Sequence, residues 1–532
     1  MLADEASPGL AIVILAVFLA FRYLLYPTLL SPLARIPNAH WSSPISRLWI
    51  LGIRYTHREN RILHALHRSL GPVIRVGPNE LSINGIDGVR TVYQGGFEKP
   101  DWYSVFDNYG VPCMFSTRPA AEHSARKRSI SNIYSKSYIQ SSQSASAQGR
   151  EILYGRLLPK LLDSTSKMQV PHGIDMYSVF MATTMDFISA YIFGIENGTN
   201  LLHDEALRDH LLEHYKARSD YSVFDQELPR LTWLCRKIGI PFWTVDAANK
   251  ELGEWCMRLC DVTKKASIMN NPSATEACDE PVVWNALVGG LAKETKTSGS
   301  SSVLYPTALT NVDLSVASEL FDHVLAGQET VGITLSYISW RLSQSMDLQA
   351  DLRAELLSLA PNMRLDRDES ASMPDPKQLD ALPLLHAVVM ETLRLHAPIP
   401  GYQPRETPEL PCQIGPYLVP GGVRIAASAY SLHRDEKVFP EPEVWNPTRW
   451  LSSDGDGEER KKRNRQFWAF SSGGRMCVGS NFAMHEMKLI IAAIYSNFTS
   501  HIVDDAGMSE QSDGYTGRPV HERLFLRFER VV

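Results

Sequence analysis

Cys477 stands in the stretch Phe470–Gly479, FSSGGRMCVG, which crowds glycines at 473, 474 and 479 and an arginine at 475 around one thiol. A cysteine can serve as nucleophile, structural thiol or metal ligand, and its neighbours discriminate among these. A nucleophile needs a base, yet the stretch holds no histidine, and His485 comes only after a further turn or two of chain. The glycines instead permit a backbone that turns tightly and passes close to something large and flat. Beyond Gly479, SNFAMHEMKLIIAAIYSNF reads as a long amphipathic helix. Cys477 is therefore expected just before a helix N-terminus, where free N–H groups favour an anionic sulfur. These neighbours support a thiolate acting as an axial metal ligand.

A second constellation is Ala326-Gly327-Gln328-Glu329-Thr330, inside a helical pattern over Asp313 to Ser345. Small residues let a helix approach a flat group closely, and an acid followed by a hydroxyl can relay protons. Glu391 and Arg394 share a helix face at i, i+3 spacing. Such a pair contributes little when solvated. Pro447-Thr448-Arg449-Trp450 supplies a further arginine.

The chain that must position these residues has 532 residues, 44% of them hydrophobic, enough for a large buried core. Its net charge of -6 excludes a wholesale nucleic-acid coat. The cysteines are scattered and odd in number, which argues against a disulfide framework and for a reducing compartment. Cys256 and Cys260 could share a helix face, but no further ligands complete a zinc set. Gly9 to Leu30 is apolar apart from Arg22, long enough to span a membrane if that guanidinium snorkels. No basic stretch precedes it and no cleavage pattern closes it, so it reads as an anchor. Asp4 and Glu5 come before the span and Arg22, Arg35, Arg47 and Arg54 after it, which places the body in the cytosol. Pro27, Pro32 and Pro37 are expected to break the helix into a stiff hinge.

Beyond residue 40 the pattern is mostly helical. Ile74 to Ile83 alternates around Gly-Pro-Asn like a hairpin, and Ala182 to Gly194 and Ala206 to Ala217 carry helical periodicity. Asn270 to Ser302 and Ser452 to Arg465 are expected as surface loops or insertions.

Taken together, the motifs resemble those of the cytochrome P-450 superfamily. Phe470-x-x-Gly473-x-Arg475-x-Cys477-x-Gly479 matches the family's heme-binding loop, and Ala326 to Thr330 resembles its oxygen-binding A-G-x-D/E-T. Glu391, Arg394 and Arg449 resemble its buried triad, and the motifs occur in the family's order. The resemblance implies a mainly α fold, a helical domain with small β-sheets over 36–532, preceded by a transmembrane helix and Pro-rich hinge over 1–35. It also implies heme b ligated axially by Cys477, with Phe470 and Gly327 against the cofactor and Thr330 and Glu329 delivering protons. Its propionates would be met by His123, Arg405, Arg475 and either Lys127 or Arg128; the family often has arginine where this chain has Lys127, and which of the two reaches a propionate stays open.

The implied activity is insertion of one oxygen atom of O2 into a lipophilic small molecule, a terpenoid or polyketide intermediate of fungal secondary metabolism. Electrons would come from NADPH through a flavoprotein reductase at the endoplasmic reticulum membrane, with no nucleic-acid partner. The alternatives are a heme-thiolate isomerase or dehydratase that does not use O2, and a non-catalytic heme sensor or carrier. Trp102 to Phe115, Phe321 to Leu325, Ala397 to Tyr402 and the region of Tyr515 are expected to face the substrate. Two basic clusters, Arg126 to Arg128 and Lys461 to Arg465, are expected to steer the acidic reductase toward the thiolate side.

Overall fold

The computed structural model describes residues 8–166, 173–219, 222–240, 243–269, 276–365, 373–451 and 457–531. Helices dominate, and three small sheets sit at the margins. The long helix Val312–Ser343 runs through the middle, packed against Met176–Phe193 on one side and Ser480–Asn497 on another. Nearly every residue of Met176–Phe193 is buried, which explains why it is apolar enough to resemble a membrane span while serving as a core helix.

The expected hairpin is present as Val73–Gly77 and Glu80–Ile83, antiparallel, with Arg75 opposite Leu81. Arg424–Ala426 joins Glu80–Ile83 in parallel, and Arg405–Glu406 closes the four-stranded sheet, so Arg405 is delivered to the core side of the molecule by strand pairing. A second sheet places Phe525–Arg530 between Phe498–Asp504 and Ile174–Asp175, antiparallel to both.

Several elements differ from the sequence reading. The N-terminal helix does not break at Pro27: it is helical from Pro8 to Leu30, with Phe21–Leu30 wound in wider π turns. Those turns accommodate the missing N–H, and the Arg75 guanidinium donates to the Pro27 carbonyl at 2.7 Å. The helix ends at Ser31, whose side chain accepts from the Leu33 N–H. The expected loop at 270–302 contains the helix Val282–Thr297, whose Val282, Trp284, Leu287 and Leu291 are buried; residues 270–275 lie outside the described residues. The expected loop at 452–465 becomes the helix Gly457–Gln466 after residues 452–456, which are likewise outside them. Ser480–Asn497 is not amphipathic along its length, since Glu486 to Asn497 is buried on every side.

A buried ionic network ties the N-terminal sheet to the segment covering the site. Glu227, on the short helix Ser222–Glu227, pairs with Arg424 at 2.5 Å, Arg47 at 2.6 Å and Arg54 at 3.2 Å, while Arg54 also holds Glu80 at 2.6 Å. Burial pushes the Glu80 carboxyl up, but Arg424, Arg54 and Arg47 outweigh it and hold the group well below the usual carboxylate range.

Candidate functional site

The cysteine loop is built by close backbone approach. Gly473 has φ +76°, and a Cβ there would meet the Tyr93 carbonyl oxygen at 2.1 Å, so only glycine fits. At Gly474 and Gly479 a Cβ would meet open space. The Cys477 N–H donates to the Phe470 carbonyl at 3.0 Å, which folds the loop back and fixes the sulfur just ahead of Ser480–Asn497. Burial pushes the Cys477 thiol up, whereas the N–H groups of Gly479 and Ser480 and the Lys127 ammonium pull it down. The residue retains accessible surface although protein surrounds it, so its sulfur faces an enclosed space.

On the long helix Ala326 is exposed and Thr330 partly so, and Asp322, one turn before Ala326, lies near enough for its charge to act on Cys477, so this stretch faces the sulfur. Thr330 Oγ1 donates to the Ala326 carbonyl at 2.8 Å. Glu329 points elsewhere: it is buried and accepts from Arg518 Nε and the Tyr215 hydroxyl, which tie it to the C-terminal segment and to the helix Glu205–Ser219. Neighbours in sequence, acid and hydroxyl thus occupy different faces of one helix. Gly327 also turns away from the space, since its missing side chain makes room for Ile188, whose Cγ1 would lie 2.6 Å from a Cβ. Its small size serves the packing of the long helix on Met176–Phe193. Phe470 is partly buried and packs on the core with Phe467.

The basic residues converge at one edge. His123 is buried, and burial followed by Arg475, Lys99, Lys127 and Arg405 pushes its imidazole down to about 3, so it is neutral. Arg405 is buried, donates to the Tyr103 hydroxyl at 3.0 Å and lies over the Tyr93 ring. Arg475 donates to the Thr117 carbonyl at 2.7 Å and pairs with Glu98 at 2.7 Å. Lys127 donates to the carbonyls of Gly474 and Met476 in the cysteine loop, at 3.0 and 3.2 Å, whereas Arg128 is exposed. Of this pair, Lys127 is the one held at the site.

Lys99 was missed by sequence reading. It is buried, donates to the Phe115 carbonyl and lies 4.2 Å from the centroids of both Tyr103 and Phe115. Burial, then Arg405 and Arg475, hold its ammonium well below the usual lysine range. The available signal was a lysine set between Phe97 and the aromatic run Trp102-Tyr103. Among the described residues this edge gathers Lys99, Lys127, Arg405 and Arg475 around neutral His123, and the one carboxylate paired with them is Glu98. Such an excess of buried positive charge fits a ligand bearing two carboxylates, as heme does, beside a sulfur that faces enclosed space.

Beneath the loop, Glu391 accepts from Arg394 at 2.8 and 2.9 Å, Arg449 at 3.0 Å, Trp450 Nε1 at 2.8 Å and the Asn446 N–H at 2.9 Å. Arg394 in turn donates to the carbonyls of His433, Pro442 and Val444. His433, kept neutral by burial, accepts from the Trp468 N–H at 2.7 Å and so carries the network to the cysteine loop. The basic clusters expected to steer a reductase are partly spent. Arg126 is buried against Glu122 and Glu319, and Lys461 and Lys462 pair along their own helix with Glu458 and Glu459.

A helical domain holding one cysteine loop under a long central helix, with a buried Glu-Arg-Arg triad below, defines a heme-thiolate architecture. A cytochrome P-450 family profile matches residues 43–514, and the chain belongs to that family. Similar proteins are fungal. The cytochrome P-450 monooxygenase avaI of Aspergillus versicolor is 28% identical, covering 79% of this chain and 93% of that protein. The monooxygenase orf2 of Aspergillus niger is 24% identical, over 93% of this chain and 92% of its own. Tryprostatin B 6-hydroxylase of Aspergillus fumigatus is 25% identical, over 92% of this chain and 78% of its own. The chain is a cytochrome P-450 monooxygenase, an oxidoreductase of a heme-thiolate family.

Proposed function

We propose that this monooxygenase inserts one atom of O2 into a lipophilic small molecule of fungal secondary metabolism, with Cys477 as the axial thiolate of heme b and electrons from NADPH through a flavoprotein reductase. The observation that carries this reading is the enclosed Cys477 sulfur within reach of the Asp322 charge on the long helix, with Tyr515, which feels the same charge, belonging to a cluster of touching rings with Trp102, Tyr103, Phe106 and Phe115. Aromatic walls of this kind select a lipophilic occupant and exclude bulk water. When bound, the heme supplies dioxygen activation, which thiolate ligation favours.

The chain's own residues hold the cofactor and place a proton. His123, Lys127, Arg405 and Arg475, with Lys99, would meet the propionates. Thr330 keeps its hydroxyl oxygen at the space while its hydrogen rests on the Ala326 carbonyl, so it can accept a hydrogen bond there and exchange a proton. Glu329 reaches this region only by releasing Arg518 or Tyr215, which makes the clamp part of proton supply. Thr330→Ala is expected to leave heme bound and to lower product formed per NADPH severalfold, measured as coupling with a supplied reductase. Unchanged coupling assigns the proton to another group.

We further propose that the body faces the cytosol at the endoplasmic reticulum membrane, anchored by Gly9–Leu30, a helix whose apolar stretch has no residue buried by the protein. A second apolar surface supports this placement. Leu231, Trp233, Leu234, Ile238 and Ile240 are all about half exposed or more, and the helix Leu48–Tyr55, with exposed Leu48, adjoins this region through the Tyr55–Phe224 ring contact. Deleting residues 1–30 is expected to move most of the protein from the membrane pellet to the supernatant with the heme site intact. The fraction left in the pellet should fall further when Trp233 and Ile238 are changed to serine. Loss of heme on deletion would make the segment structural.

A further inference from the structure

The polar groups around the enclosed space are almost all committed to protein partners. Trp102 Nε1 donates to Glu227 at 3.0 Å, the Tyr103 hydroxyl accepts from Arg405, and Lys99 donates to the Phe115 carbonyl. Glu319 accepts from the Met114 N–H at 2.7 Å, and Tyr215 is spent on Glu329. Two charged side chains are left without a partner among the described residues.

Asp322 lies on the long helix one turn before Ala326 and makes no hydrogen bond or ion pair among the described residues. It keeps some accessible surface although protein surrounds it, so its carboxylate faces the enclosed space. Arg218, near the end of the helix Glu205–Ser219 that covers the site, lies 5.1 Å over the ring of Phe321. Its Nη1 is buried without an acceptor, and no carboxylate among the described residues pairs with it. The two groups lie around the same ring, near enough to feel each other's charge and too far apart to pair. A buried guanidinium N–H without an acceptor costs roughly 1–3 kcal/mol, and unsatisfied buried groups of this kind call for an explanation.

We propose that Asp322 and Arg218 are the two poles that orient the substrate, and that the substrate bears an amide whose N–H donates to Asp322 and whose C=O accepts from Arg218. This deepens, and rests on, the monooxygenase reading above. A simple amine would satisfy Asp322 but meet Arg218 and Lys99 as like charges. A carboxylate would satisfy Arg218 but face Asp322. A hydrocarbon would leave both poles stranded in a dry site. A lactam carries donor and acceptor side by side, without net charge, on a planar group that fits between aromatic walls. The substrate is thus an amino-acid-derived amide with an aromatic or apolar remainder, in place of the plain terpenoid or polyketide suggested by resemblance.

The test uses the full-length, heme-loaded protein and two probes of similar size, the cyclic dipeptide cyclo(Phe-Gly) and the hydrocarbon cyclohexylbenzene. Affinity is read by calorimetry, which does not depend on the heme, and by the probe-induced shift of the heme absorption band. Wild type is expected to bind the dipeptide more tightly. Asp322→Leu and Arg218→Met should each weaken it about tenfold, the worth of one hydrogen bond to a charged group, and leave cyclohexylbenzene unchanged. N,N′-dimethylation of the dipeptide should erase the effect of Asp322→Leu. Equal weakening of both probes, with a lower melting temperature, would assign the pair to steadying the covering helix and overturn the proposal. A preference of wild type for the hydrocarbon would overturn it as well. Failure of the monooxygenase reading shows separately, as loss of the thiolate-type carbon monoxide difference band.

Discussion

Replacing Cys477 with serine is expected to abolish the thiolate-type carbon monoxide difference band of the heme-loaded protein and, with it, turnover. The sulfur is desolvated, which disfavours its anion, and the N–H groups of Gly479 and Ser480 with the Lys127 ammonium counter this only in part. Those groups suit a soft thiolate whose charge is shared with a metal. A serine hydroxyl in the same place keeps the backbone geometry but cannot supply anionic sulfur near neutral pH. The cationic edge of Lys99, Lys127, Arg405 and Arg475 does not depend on Cys477, so measurable heme retention is expected, with an altered spectrum. A band unchanged from wild type would remove Cys477 from the role of ligand.

Glu391→Gln is expected to be the most damaging single change outside the site itself. Glu391 and Arg394 have fully buried side chains, and Arg449 is 8% exposed. Removing the carboxylate charge leaves two guanidinium groups without their counter-ion in a region water does not reach. Breaking a buried pair by deleting one partner costs about 3–5 kcal/mol, and the glutamine cannot accept from Arg394, Arg449, Trp450 and Asn446 at once. Against a typical total stability of about 5–15 kcal/mol, that is enough to deplete the folded state. The measurement is the yield of heme-loaded protein and its melting temperature, with Arg449→Lys as comparison. That variant keeps the charge but loses the planar fork, so it should cost less. Equal and small effects would mean that the triad contributes little to assembly.

The chemistry-bearing motifs were legible because each needs particular residue types at fixed local spacing. FSSGGRMCVG requires a glycine where the chain meets the Tyr93 carbonyl, and Glu391 with Arg394 requires one helix turn. Local spacing also gave the hairpin at Ile74–Ile83 and the long helix, whose ends at Val312 and Ser343 fall near those expected. The misread segments failed for physical reasons. The helix Val282–Thr297 is held by five apolar side chains buried against distant helices, contacts that the loose composition around it conceals. The helix Gly457–Gln466 is solvated and stabilised by Lys461–Glu458 and Lys462–Glu459 pairs, which a count of charges reads as a loop.

Sequence by itself determined the architecture, the cysteine loop and, Lys99 apart, the basic residues of the cationic edge, since these follow from residue type and short-range order. Only the tertiary structure decided where neighbouring side chains point. Adjacent residues on a helix are turned about 100° apart, so Thr330 faces the enclosed space while Glu329 is clamped by Arg518 and Tyr215, and Gly327 faces Ile188. Lys127 reaches the loop and Arg128 faces solvent for the same reason. Lys99, Asp322 and Arg218 come together from three segments far apart in the chain, and whether each has a partner is set by the packing of those segments. No local pattern records that, because an unpaired charge is defined by what the rest of the fold fails to bring within reach.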